Sequence, residues 1–328
     1  MIDVLTQKKL AELAEEYESI KRMYPWQWFT PLPKQAEFQR YVGSKFQVVL
    51  FQGGNWTGKT ITGANTALQL AFTGGVRVGS DFFSVCDVPN MGRIATEKEL
   101  VEKDVIRHLK KQLGPGTYNT EKKGRPFETQ WYVENGSEFD ILTYDQDPKQ
   151  FEGVELDWAW LNEPSTEDIF KAMLGRFKKG GVLFITATIL GSAWILDLII
   201  EADNPRYRMV TMDIDDNKAS HGGFLPDDAI EDMLASQDTE TREARKSGKS
   251  LRLAGRVFKY YEKHRKEIFV EMSEEAPKNV MVMMATDPHD KLPHYSAWAF
   301  MDDSGVLNIY KEHPGGNFWD FFDNPWSN

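Results

Sequence analysis

The residues with the clearest chemistry lie between Phe46 and Thr60, FQVVLFQGGNWTGKT. An apolar run enters Gly53, passes Gly54, Asn55, Trp56 and Thr57, and closes on Gly58, Lys59 and Thr60. This is the pattern of a P-loop, whose glycines let successive backbone N–H groups turn onto a phosphate at a helix N-terminus. In such a loop Lys59 reaches the β- and γ-phosphates of ATP, and the Thr60 hydroxyl ligates Mg²⁺. The plainer alternative is a glycine-rich turn that binds nothing.

A second set lies about a hundred residues on. The short apolar run WAWL, 158–161, ends in Asn162, Glu163 and Pro164. A nucleotide hydrolase needs one group opposite the phosphates to hold the Mg²⁺ shell and another to orient and deprotonate water. Glu163 suits the second role. Asn162 stands where an aspartate normally serves the first, and it can accept a bond from metal-bound water without bringing charge. The next apolar run, VLFITAT at 182–188, exits in Thr186, Ala187 and Thr188, where a polar strand end can sense a γ-phosphate and pass the signal on. Upstream, Gln35 sits where many nucleotide-driven motors place an adenine-reading glutamine; a surface glutamine at a helix start is the equal alternative.

The elements that must position these groups alternate strand and helix, which indicates an α/β fold with a central, mostly parallel sheet and flanking helices. A strand leads into Gly53, and ITGANTALQLAF, 61–72, continues as a helix. Residues 3–22 carry Leu10, Leu13, Tyr17 and Ile20 on one helical face, and 24–38 reads as an irregular, aromatic- and proline-rich connector. A strand is expected within 77–87. A helix is expected over 96–113, with Thr96 and Glu99 as its capping box and Gly114-Pro115-Gly116 as its stop. The Asn135-Gly136 pair marks a tight hairpin between 128–133 and 138–144.

At 328 residues the chain suits one large α/β domain and a smaller piece, and 41% hydrophobic residues can bury a sizeable core. Cys86 is the single cysteine, so no internal disulfide forms, and a reducing compartment follows. Met1 to Arg22 is charged rather than a signal peptide. The run 183–200 approaches membrane-helix length, but its Thr186, Thr188, Gly191, Ser192 and Asp197 fit a buried strand followed by a short helix. Net charge is −11, yet it is unevenly spread. Residues 213–240 hold nine acidic side chains against Lys218, whereas 242–266 hold ten basic ones against Glu243 and Glu262. That basic stretch, interleaved with Phe258, Tyr260 and Tyr261, is read either as a phosphate-backbone track or as a solvated or docking face.

Taken in order, Gln35, GGNWTGKT at 53–60, FEGVELDWAWLNEP at 151–164, TAT at 186–188, REARKSGKSLRLAGRVFKYY at 242–261 and MMATDPHD at 283–290 resemble the large terminase subunit of tailed double-stranded DNA bacteriophages. The resemblance implies a P-loop ATPase domain of the additional-strand, catalytic-glutamate type over 1–212, a charged connector over 213–275 and the start of an RNase H-like nuclease domain over 276–328. It implies ATP hydrolysis coupled to translocation of duplex DNA into a procapsid. Implied partners are double-stranded DNA, a portal protein, a small terminase subunit and further copies in a ring, in the host cytoplasm and with no membrane. A first strand over 280–287 would end in Asp287, the first ligand of two divalent metals in a complete nuclease site, with 306–313 a following strand. The sequence ends before the remaining carboxylates, so it reads as a shortened form from which no nuclease activity is expected. The 53–60 loop lacks the basic residue that many members carry, which leaves Arg93, Arg125 and Arg176 as guesses for a stimulating arginine. A helicase-like translocase and a nucleotide-binding assembly module are the rival readings.

Overall fold

A computed structural model of the chain describes residues 4–177, 180–189, 193–195, 199, 204–235, 246, 277–287, 295–302 and 305–314. Two compact units divide it, Met1–Gly255 and Arg256–Asn328.

In the first unit, helix α1 (Val4–Met23) runs without a glycine or proline and stops just before Pro25, whose ring bars the preceding residue from helical backbone. Its expected apolar face is present but open, with Leu10, Leu13, Tyr17 and Ile20 between 40% and 56% exposed. Helix α2 (Pro33–Val42) begins on a proline and ends at Gly43. Strand β1 (Val48–Gly53) is buried along its whole length, and helix α3 (Lys59–Thr73) follows the 53–60 loop.

The 75–87 region departs from the expected sheet strand. It forms a separate antiparallel hairpin of β2 (Gly75–Val78) and β3 (Asp81–Ser84). The next sheet strand is instead β4 (Met91–Thr96), whose last residue carries the pattern of a helix start. Thr96 therefore ends a strand and does not cap a helix; the helical segment starts at a π-helical turn, Val101–Ile106, and continues as α4 (Arg107–Lys111). Then come β5 (Tyr118–Glu121), β6 (Gln130–Val133), β7 (Glu138–Thr143), β8 (Trp158–Asn162), α5 (Glu167–Leu174), β9 (Val182–Ala187), α6 (Ala193–Ile195), β10 (Tyr207–Met212) and α7 (Asp227–Ala235). The β6–β7 hairpin forms around Asn135-Gly136, with Gly136 at φ 88° and a loop longer than the two residues that pair favours.

These strands make one sheet in the order β10-β1-β9-β8-β4-β7-β6-β5. Every pairing from β10 to β7 is parallel, and the β7–β6 and β6–β5 pairings are antiparallel, so that β6 alone runs against the other strands of this sheet. Within the 183–200 run, 183–187 belong to the central sheet strand β9 and 193–195 to the short helix α6, and no helix among the described residues is long and apolar enough to cross a membrane.

The period of two along the strands sorts side chains into two cores. Val49 and Phe51 of β1, Trp158 and Trp160 of β8 and Phe184 of β9 join Phe38 of α2 and Leu68 of α3 on one face. Val48, Leu50, Ala159, Leu161, Leu183 and Ile185 meet Ile169, Phe170 and Met173 of α5 on the other. Helices thus cover both faces, as a buried parallel sheet requires. Helix α3 comes so close to β8 that a Cβ at Gly63 would lie 2.5 Å from the Trp160 ring.

The second unit contains an antiparallel sheet in the order β11 (Val282–Asp287), β12 (Tyr295–Met301), β13 (Leu307–Pro314). The first and last match the expected strands; β12 has no counterpart in the sequence reading.

Candidate phosphate-binding and hydrolysis site

Strands β1, β9, β8 and β4 run parallel and end on Gly53, Ala187, Asn162 and Thr96. Their carboxyl ends therefore lie along one edge of the sheet, the edge at which open α/β sheets bind ligands. The 53–60 loop rises from this edge, and α3 begins there with Gly58 in left-handed backbone at φ 74° and no side-chain cap on its first N–H groups.

The loop is tied down through its carbonyls. Gly54 O accepts from Thr57 Oγ1 at 2.9 Å and from Lys59 Nζ at 2.8 Å. Trp56 O accepts from Asn217 Nδ2 at 2.6 Å, and Gly58 O accepts from Thr62 N and Thr62 Oγ1. Thr57 O accepts from Gln35 Nε2 at 3.0 Å, while Gln35 Oε1 accepts from Leu32 N at 2.9 Å. Gln35 is thus no surface residue: it is buried, caps the start of α2 and latches the loop. A side chain on Gly58 would strike Gln35 Nε2 at 2.7 Å, so the latch requires glycine there. Asn55 is half-buried, and Trp56, at φ 62°, stands exposed.

Lys59 is buried, and burial lowers its pKa against the opposing pull of Glu163 and Asp104. Glu163 follows the last residue of β8 in left-handed backbone at φ 64°, a strained conformation for a side chain other than glycine. Its N–H donates to Thr186 O at 2.8 Å, and its Oε2 accepts from Thr188 N at 2.9 Å. Tyr144 OH donates toward its carbonyl at 2.8 Å and lies 3.1 Å from those of Ala95 and Asn162. Burial raises the Glu163 carboxyl, while the Lys59 ammonium and the Thr188 N–H pull it down.

Asn162 is buried between register partners on both neighbouring strands. Its Nδ2 donates to Thr96 Oγ1 at 3.1 Å, and its Oδ1 accepts from Thr186 Oγ1 at 3.2 Å. Trp160 Nε1 in turn donates to Thr186 Oγ1 at 2.8 Å. The expected trio 186–188 therefore touches both Asn162 and Glu163.

Sequence reasoning missed the partner of Thr60. Thr60 Oγ1 donates to Asp104 Oδ2 at 2.9 Å, and His108 Nε2 sits 3.3 Å from Asp104 Oδ1. Burial alone would raise Asp104, but the bonds from His108 and Thr60 prevail and hold it below the usual carboxylate range. The only local trace of this group is the four-residue spacing of Asp104 and His108 on one helical face. Tyr144 likewise carries no motif.

Arg93, proposed from sequence as a stimulating arginine, is a buried structural residue instead. It pairs with both oxygens of Asp140, each at 2.7 Å, and donates to Phe151 O at 2.8 Å. Arg176 donates to Glu152 O, and Arg125 is exposed. Most of the basic stretch 242–266 lies outside the described residues; Lys246 pairs with Asp215 at 2.7 Å. Asp287 is the last residue of β11, opposite Tyr295.

No protein-family model matches this sequence, and no curated protein sequence matches it. Among solved structures, the chain is similar to the large terminase from a thermophilic bacteriophage, in complex with ADP. Identity is 13% and the TM-score 0.50, over 90% of this chain and 73% of that one. A second structure of the same phage's large terminase gives 12% and 0.51 over the same shares. The ATPase domain of the Thermus phage P74-26 large terminase aligns at 13% identity and a TM-score of 0.45, over 68% of this chain and 94% of that one. The likeness to the first two structures shows the fold; in this chain's sheet β9 lies between the loop-bearing β1 and β8, whose end carries Glu163.

Proposed function

We propose that this chain is the ATP-hydrolysing motor of a DNA-packaging machine of the large-terminase kind. The observation that carries the reading is Glu163, held in strained backbone at the end of β8 and electrostatically coupled to Lys59 of the loop on β1. The loop residues Gly53 to Thr60 and the uncapped start of α3 bind the triphosphate, and Lys59 leaves Gly54 O to neutralise its β- and γ-groups. The hydroxyl of Thr60 is a hard oxygen of the kind Mg²⁺ takes. Bound Mg²⁺ supplies charge neutralisation across the phosphates. Glu163 orients the attacking water and takes its proton, with Thr188 N–H fixing the carboxylate in place. Thr186, Ala187 and Thr188 join that carboxylate to the next strand, so a change in the bonding of Glu163 is felt along β9.

The packaging role brings with it double-stranded DNA, a portal protein, a small terminase subunit and a ring of copies as partners, and the host cytoplasm and the procapsid portal as location. Within this reading, Gln35 places adenine through the loop it latches, and Asp287 is the first ligand of the nuclease metal pair. The test is phosphate release from ATP and Mg²⁺ by the purified chain, with and without duplex DNA. Expected are turnover that DNA stimulates and its loss in Lys59→Ala with the fold intact; unchanged turnover in that variant refutes the site. Strand separation by the chain would favour a helicase, and nucleotide binding without turnover an assembly module.

A further inference from the structure

We propose that Asp104 supplies the carboxylate that the catalytic strand lacks, so that the divalent cation of the nucleotide site is held by Thr60 and Asp104, from two different elements. The inference rests on the ATPase reading above and names a residue that reading does not require.

Asn162 occupies the strand position where a carboxylate is expected, yet its amide is engaged by both neighbouring strands. It donates to Thr96 on one side and accepts from Thr186 on the other. An aspartate there could not donate to Thr96 and would bury a charge among hydroxyls, so the amide suits this rung of the sheet. The metal-ligand hydroxyl of the loop turns elsewhere: Thr60 Oγ1 lies 2.9 Å from Asp104 Oδ2. Any cation within bonding distance of the Thr60 oxygen is consequently close to a negative oxygen of Asp104.

Asp104 is also built to hold still. Its second oxygen faces His108 Nε2 at 3.3 Å, one turn along the same helical segment. The π-helical turn Val101–Ile106 that carries it is the kind of helix irregularity found at functional sites. Val101, Val105 and Ile106 are buried on either side and fix that turn against the core. In this arrangement His108 is a positioning residue and Asp104 a metal-shell residue.

The test uses Mn²⁺ as a paramagnetic probe, titrated by electron spin resonance into the full chain with ADP, alongside ADP binding in EDTA. Asp104→Asn keeps the size of the side chain and an oxygen for Thr60 while removing the charge. Its Mn²⁺ half-saturation should rise tenfold or more, on the order seen when groups supporting a metal are changed. ADP affinity in EDTA should stay unchanged, and Asn162→Asp should not tighten Mn²⁺. Should the asparagine variant fail to fold, Asp104→Glu, which displaces the carboxylate by one methylene, must show the same split. Mn²⁺ half-saturation within twofold of wild type in a variant that still binds ADP overturns the assignment of Asp104 and leaves the ATPase reading standing. A wild-type chain that binds no ADP, with or without Mn²⁺, overturns both.

Discussion

Replacing Glu163 with glutamine isolates chemistry from architecture at this site. Glutamine has the same length, and its Oε1 can still accept the Thr188 N–H that Glu163 Oε2 accepts at 2.9 Å. The left-handed backbone, the bond from Glu163 N–H to Thr186 O and the Tyr144 contact to its carbonyl involve the main chain only. Stability should therefore stay within about 0.5 kcal/mol of wild type. Binding should also survive, because Lys59 keeps Asp104 and gains the phosphates as counter-charges when Glu163 is neutralised. What disappears is a positioned base, whose contribution is on the order of 10²–10⁴ in rate, or about 2.7–5.4 kcal/mol of barrier. Single-turnover hydrolysis after rapid mixing, set beside fluorescent-nucleotide affinity, separates the two effects. A pH profile adds a signature. The base works only as the carboxylate, and burial raises the Glu163 carboxyl, so turnover should climb with pH along a limb above the ordinary glutamate pKa of about 4.3. That limb should vanish in Glu163→Gln. Retained turnover, or a limb that survives the substitution, would refute the assignment and move the base elsewhere.

Three further substitutions probe how the site is held. Gly63→Ala places a methyl group 2.5 Å from the Trp160 ring; the overpacking should cost about 1–3 kcal/mol in denaturant melts and slow turnover by shifting Trp160 off Thr186, and an unaltered melt would show that α3 and β8 are less tightly packed than described. Gln35→Ala leaves Leu32 N–H and Thr57 O without their partner, which should cost about 2 kcal/mol and weaken nucleotide affinity; unchanged affinity would mean the latch does not shape the loop. Arg93→Ala strands Asp140 beside an empty place in the sheet, so about 3–5 kcal/mol of stability should be lost; a stable variant deficient only in hydrolysis would restore Arg93 as a functional arginine.

The sequence by itself determined whatever depends on neighbours along the chain. The 53–60 loop, the strand before it and the helix after it are contiguous, and glycine placement there specifies backbone turns that few other residues tolerate. The place of Glu163 at a strand end was legible for the same reason, since an apolar strand that ends in a carboxylate is a local pattern, and so was the β-branched run that became β9. Tertiary structure decided the rest. Thr60 meets Asp104 across 44 positions, Gln35 meets Thr57 across 22, and Asn162 meets Thr96 across 66. Strand order alone sets Thr96 beside Asn162, and the polar end of β4 reads locally as a helix cap because threonine followed three residues later by glutamate satisfies both patterns. Arg93 reads as a free cation until β7 pairs with β4 and brings Asp140 directly opposite it. A side chain's chemistry is printed in the sequence, but its role is set by which oxygen or charge the folded sheet brings within about 3 Å of it, and that pairing is non-local.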